Sequence, residues 1–158
     1  MKWISPSDNE EGEERAAGFV LFRTRHHQRY YLLLRHRDGG HWAFPKGRLE
    51  GEEGELEAAN RETLEETGIR HIRPIPGFRE TSSYIVSRNG QQRSKTVAYF
   101  LAETAEFGVS LSAEHTDYQW LELAEAVATL TYGESQRILT KADAKLTVSS
   151  EREREECP

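Results

Sequence analysis

The sequence predicts an α/β fold in which helices pack on both sides of a mixed central sheet. Three observations carry that expectation. Short apolar runs rich in β-formers recur along the chain, a helical segment over 55–67 is set among them, and two more helical patterns follow toward the C-terminus. The first runs, Ala17–Phe22 and Tyr30–Leu34, read as strands joined by a turn over Arg25–Arg29. Asp38-Gly39-Gly40 is a turn signal. His41–Gly47 is short and extended and enters a loop rich in Gly and Glu.

Glu55–Thr67 has no Pro or Gly, begins with acids and stops at Gly68, a helix-ending residue. Leu56, Ala59 and Thr63 share one face, with Leu64 beside them. Residues 71–86 are extended up to Ser87-Arg88-Asn89-Gly90, whose Asn-Gly is a strong hairpin signal. The returning segment Lys95–Ala102 is apolar on both faces, with Val97, Tyr99 and Leu101 on one and Ala98 and Phe100 on the other, as a central strand requires. Tyr118–Leu121 is a further strand, and Leu123–Leu130 and Glu134–Leu146 are helical.

The 158 residues suit one domain, and 36% hydrophobic against 30% charged residues still allows a core. Residues 1–14 carry five acids against Lys2, and residues 149–158 carry four acids against Arg152 and Arg154. These ends account for the whole net charge of −6, so the body is formally neutral. The expected organisation is an acidic tail over 1–14, one domain over 15–148 and a charged tail over 149–158. A neutral body without a basic stripe argues against broad nucleic-acid binding. No apolar run is long enough to span a membrane, and there is no apolar N-terminal signal segment. The single cysteine, Cys157, permits no intramolecular disulfide, and a cytoplasmic setting is expected. A monomer or weak dimer is expected.

The chemistry concentrates on the helix over 55–67. Glu62, Glu65 and Glu66 stand at i, i+3 and i+4 and crowd one face, where like charges repel by a few tenths of a kcal/mol (about 0.2–0.5). Alone this is the pattern of a solvated acidic helix. A hard divalent cation reverses the repulsion, because Mg²⁺ takes carboxylate and phosphate oxygens as ligands. Gly47 is followed after five residues by Glu53, and seven more lead to Arg61-Glu62-Thr63-Leu64-Glu65-Glu66-Thr67-Gly68-Ile69. This resembles the Nudix box at every fixed polar and glycine position. Thr63 departs, standing where an apolar residue is usual, and keeps a methyl for packing.

The resemblance implies a Nudix fold, with a loop-helix-loop that binds Mg²⁺ or Mn²⁺. It implies Glu62, Glu65 and Glu66 as metal ligands with the backbone carbonyl of Lys46, Arg61 as the residue that holds the glutamates, and Glu53 as a support acting through Arg61. From about Ala17 to Leu146 the chain also resembles the asymmetrically cleaving bis(5′-nucleosyl)-tetraphosphatases within that family. The stretches are Trp42–Gly47, Arg61-Glu62-Thr63, Gly77–Glu80, Tyr84, Lys95–Tyr99, Glu114-His115, Tyr118 and Trp120-Leu121. Thr63 suits this subfamily, whereas Arg48 stands where a His often follows the glycine.

That resemblance implies Mg²⁺-dependent hydrolysis of diadenosine tetraphosphate to ATP and AMP. Lys46 and Lys95 would offset the charge of the polyphosphate, and Tyr84 and Tyr132 would clamp an adenine. Glu114 would join the metals or take a proton, a role open also to Glu65. The spacing of His26, His27, His36, His41, His71 and His115 fits no zinc motif, and surface or turn roles are expected, with His41 and His115 the two to watch for contact with phosphate. Alternative substrates are longer dinucleoside polyphosphates, triphosphate-ended RNA and nucleotide sugars. A catalytically dead nucleotide sensor is disfavoured because Glu53, Glu62, Glu65 and Glu66 are all kept.

Overall fold

The computed structural model describes residues 13–156, with the side chains of 151–156 outside the description. The first hairpin turns on His26 and His27, both at positive φ (51° and 64°), the hand that matches strand twist. It joins β1 (Glu13–Arg25) to β2 (Gln28–His36). Two short strands follow, β3 (Trp42–Ala43) on β2 and β4 (Lys46–Arg48) on β1. Helix α1 (Glu55–Thr67) then leads into β5 (Arg73–Arg88) and β6 (Gln91–Glu103). Their turn is Asn89-Gly90, again at positive φ (50° and 78°), so the hairpin signal in the sequence acts as expected. β7 (His115–Leu121) pairs with β2, and α2 (Leu123–Thr129) and α3 (Gly133–Glu156) close the chain.

The sheet runs β3-β2-β1-β6-β5, and β1 and β6 are parallel while the other pairs are antiparallel. Central position explains why β1 and β6 are apolar on both faces. From Ala16 to Phe22 the described side chains of β1 are buried, and they sort by parity. Ala16, Val20 and Phe22 pack with Val97, Tyr99 and Leu101 against Ile138, Leu139 and Ala142 of α3. Ala17, Phe19 and Leu21 pack with Leu32 and Leu34 against Ala58 and Ala59 of α1. The result is the expected α/β/α sandwich, with one core on each face of the sheet.

Three expectations need correction. The buried face of α1 is Ala58, Ala59, Thr63, Glu66 and Thr67, whereas Leu56 and Leu64 are exposed. Small side chains win that face because they let the helix lie close on β1, which brings its glutamates to β4. Glu13 and Glu14 belong to β1 rather than to a tail, and Glu14 is buried. At the other end α3 continues to Glu156, past the boundary set at 149, because nothing in that charged stretch breaks a helix. Residues 1–12 of the acidic end lie outside the described residues.

Candidate active site

The box helix ends on Gly68 at φ 74°, whose N–H donates to the Leu64 carbonyl at 2.8 Å. Its glutamates meet β4 at Gly47. A Cβ on Gly47 would sit 1.9 Å from Cδ of Glu62, so only glycine allows that carboxylate to pack on the strand. One residue earlier, the Lys46 N–H donates to Glu66 at 3.1 Å.

Arg61 occupies the centre of the acids. Its Nε and Nη2 donate to the two oxygens of Glu53 at 2.8 and 3.0 Å, the planar fork that guanidinium offers a carboxylate. Its Nη1 reaches Glu62 at 2.8 Å and Glu65 at 3.2 Å, and its Nη2 also donates to the Arg48 carbonyl at 2.9 Å. Among the described residues no three acids or imidazoles converge on a single cation point. Arg61 draws Glu62 and Glu65 toward itself, while Glu66 is tied to the β4 backbone.

The electrostatics nevertheless fit a cation. Glu66 is buried and its pKa is pushed up to about 8, first by burial and further by the Glu62 and Glu114 charges, with the Lys46 N–H opposing. Burial also raises Glu62, against the pull of Arg61, and Glu65 and Glu114 add to the rise. Buried carboxylates that repel one another are an all-oxygen donor set short of positive charge, which suits a hard divalent ion.

Glu114 is carried by the loop before β7, and that loop is fastened on two sides. The Ser110 and Ser112 N–H groups donate to the Thr67 and Glu66 carbonyls at 2.8 and 3.3 Å. Arg37 donates from its N–H to the Glu114 carbonyl at 2.8 Å and from Nε to that of Ala113 at 2.8 Å.

Strand register brings the cations together. Lys46 lies opposite Gly18, Glu14 opposite Lys95, and Tyr84 opposite Lys95, so by alternation Lys46, Glu14, Lys95 and Tyr84 share one face of the sheet. Lys95 is buried at 8% exposure rather than a surface lysine. Burial and then Lys46 push its pKa down to about 8. Lys46 is lowered by burial, with Glu66, Glu62 and Glu114 opposing. The Lys95 ammonium stands 5.9 Å from the centre of the Tyr84 ring. Burial raises the Tyr84 hydroxyl, with Tyr132 the next cause, and both tyrosines are exposed.

The histidines divide. His26 and His27 form a turn and His71 is exposed, as expected for surface and turn roles. His36 and His115 do not fit that reading. His36 stacks on His41 (centroids 4.0 Å, 15° between planes) and meets His115 edge-on at 4.6 Å, while His41 leans on Tyr132 at 5.6 Å. Ser112 Oγ pairs with Nδ1 of the buried His115 at 3.1 Å, and its Nε2 has no hydrogen-bond partner among the described residues. Burial, then His41 and His115, push His36 down to about 3. Sequence reading missed this stack, and it missed Glu14 and Arg88, because none of these lies in a spaced motif.

An acidic helix docked on a glycine strand, an arginine in the midst of its carboxylates and lysines across the strand define a metal-assisted phosphoryl site of the Nudix type. The family model described as NUDIX domain matches residues 12–142, and the chain belongs to that family. Nudix hydrolases work with a divalent metal. Among individual relatives, the chain is 39% identical over 136 residues to bis(5′-nucleosyl)-tetraphosphatase [asymmetrical] of Mus musculus, covering 79% of this chain and 90% of that one. The Caenorhabditis elegans protein of the same name is 34% identical, covering 84% and 96%. The solved structure of a C. elegans Ap4A hydrolase binary complex superposes with a TM-score of 0.76 at 34% identity, covering 85% of this chain and 98% of that one.

Proposed function

We propose that the protein hydrolyses diadenosine tetraphosphate to ATP and AMP with Mg²⁺. The observation that carries this reading is that strand register sets Lys46, Lys95 and Tyr84 on one face of the sheet while the Lys46 N–H holds Glu66 of the acidic helix, with Tyr132 leaning on His41 nearby. That grouping supports reading the glutamates as a cation site, the lysines as a polyphosphate cradle and the tyrosines as a base clamp, and the tetraphosphatase relatives fit the same assignment.

Glu62, Glu65, Glu66 and Glu114, with the Lys46 carbonyl, would hold the metal. When bound, the ion polarises the phosphoryl group and acidifies a water. Arg61 fixes where Glu62 and Glu65 point. Tyr84 and Tyr132 stack an adenine, worth roughly 1–3 kcal/mol per base, and His41 lines the same wall beside Tyr132. A water oxygen bonds to the phosphorus next to one adenosine, the bridging P–O bond breaks, and ATP leaves. Glu65 or Glu114 accepts the proton of that water. Lys46 and Lys95 take up charge on the phosphate chain as the bond breaks.

Product analysis with diadenosine tetraphosphate in Mg²⁺ tests the reading. ATP and AMP in equal amounts are expected; two ADP molecules, or no turnover, would overturn it. Comparing Glu65→Gln with Glu114→Gln assigns the base, which is the position whose loss flattens the rising limb of the pH–rate profile. A nucleotide sensor without catalysis would require the wild type and Glu66→Gln to turn over substrate equally.

A further inference from the structure

Glu14 is a buried acid that the proposed chemistry does not use. It follows the first residue of β1, its side chain is 2% exposed, and it faces Lys95 across the parallel β1–β6 pair. Arg88 comes from the far end of β5 and grips it, with Nε donating to Oε1 at 3.0 Å and Nη2 to Oε2 at 3.4 Å. Arg88 is four residues beyond Tyr84 on the same strand, so both side chains stand on the sheet face that carries Lys95 and Lys46. The Arg88 side chain is 47% exposed, and Glu14 is its ion-pair partner among the described residues. The guanidinium therefore keeps donors turned to solvent. Arg48, opposite Ala16 on β4, adds a positive charge that acts on both Glu14 and Lys95. The Arg88 hydrogen bond foremost, and then Arg48, with burial opposing between them, hold Glu14 in its ionised form.

The pattern is a row of cations from Lys46 through Lys95 to Arg88, with one anion set into its outer end. A row with no acid would bind any polyanion that reached it. The buried carboxylate shares Arg88 and subtracts charge beside Lys95, away from the Lys46 end of the row.

We propose that Arg88 and Arg48 form a distal subsite for phosphate groups beyond those held by Lys46 and Lys95, and that Glu14 competes with phosphate there and so limits the length of polyphosphate chain the enzyme favours. The proposal rests on the reading that Lys46 and Lys95 receive the polyphosphate.

The experiment compares kcat/KM of the full-length protein for diadenosine tetraphosphate and hexaphosphate. Glu14→Gln keeps the shape and one acceptor for Arg88 but removes the charge. It should raise the hexaphosphate-to-tetraphosphate ratio roughly three-fold, the scale of one partly screened charge. Arg88→Gln should lower the same ratio, and Arg88→Lys should fall between. A purely structural ion pair would lower both rates together, so an unmoved ratio, or a shift of the same sign in both variants, overturns the proposal. If the wild type turns over neither substrate, the proposed function fails and the subsite is judged by calorimetry with inorganic tripolyphosphate and pentaphosphate. Glu14→Gln should then tighten pentaphosphate roughly three-fold more than tripolyphosphate, again the effect of one charge. Equal effects on both chains would overturn it.

Discussion

Gly47 and Arg61 show how little freedom the glutamates have. Replacing Gly47 by Ala places a methyl inside the Glu62 carboxylate, 1.9 Å from its Cδ, so either the strand or the glutamate must move. We expect Gly47→Ala to lower kcat about 10- to 100-fold, the usual effect of disturbing the support of a metal ligand, with a melting temperature close to wild type. Steady-state kinetics beside a thermal melt checks both parts. Arg61→Lys keeps the charge but loses the fork that spans Glu53, Glu62 and Glu65. Its loss of rate should therefore approach that of Arg61→Ala, and near-wild-type activity in the lysine variant would show that charge alone suffices.

At the scale of elements, the site depends on two connections that reach beyond the box. One is the imidazole stack from His115 through His36 and His41 to Tyr132, which joins the Glu114 loop to the α2–α3 loop. His36→Ala removes the middle ring, and the KM for a dinucleoside polyphosphate should rise roughly 2- to 10-fold, as expected for one lost aromatic contact, with kcat little changed. His36→Phe should restore it; if the phenylalanine variant behaves like the alanine one, stacking is not what the ring contributes. The other connection is Glu55 at the start of α1, held by Arg79 of β5 through two hydrogen bonds of 3.0 and 2.8 Å. The Arg79 hydrogen bond foremost, against the opposing effect of burial, keeps the Glu55 carboxyl below its ordinary 4.5. A depressed acid stabilises the fold above its unfolded pKa, and that contribution fades as pH falls from 4.5 through the folded value. Glu55→Gln should thus lower the melting temperature at neutral pH and converge on wild type in acid, as melts taken across that range would show.

For the whole molecule, the two cores close without the acidic cluster. One lies between the sheet and α2–α3 and the other between the sheet and α1. Removing divalent ions should therefore abolish turnover while leaving the far-ultraviolet dichroism unchanged. Adding Mg²⁺ should raise the melting temperature of the wild type, because the ion relieves repulsion among buried carboxylates in the folded state only. In Glu62→Gln/Glu66→Gln that rise should vanish. An undiminished rise would place the ion elsewhere.

Much of this protein was legible in its sequence where the signal is local. The helix over 55–67, the Asn89-Gly90 hairpin and the two-faced strands follow from periodicity and turn chemistry, which act between near neighbours. The box spacing named the carboxylates for the same reason. What tertiary structure alone decided is which groups distant in sequence meet. Of the α1 face read as Leu56, Ala59 and Thr63 with Leu64 beside it, the close approach to β1 buries Ala59 and Thr63 but leaves both leucines exposed. Glu14 read as part of a solvated acidic end, yet the parallel pairing of β1 with β6 buries it beside Lys95 and within reach of Arg88. His36, His41 and His115 carry no mutual spacing, and they stack because β7 pairs with β2. The sequence determined the elements and the spacing of the box; sheet register decided what surrounds it, because register is settled by both cores at once.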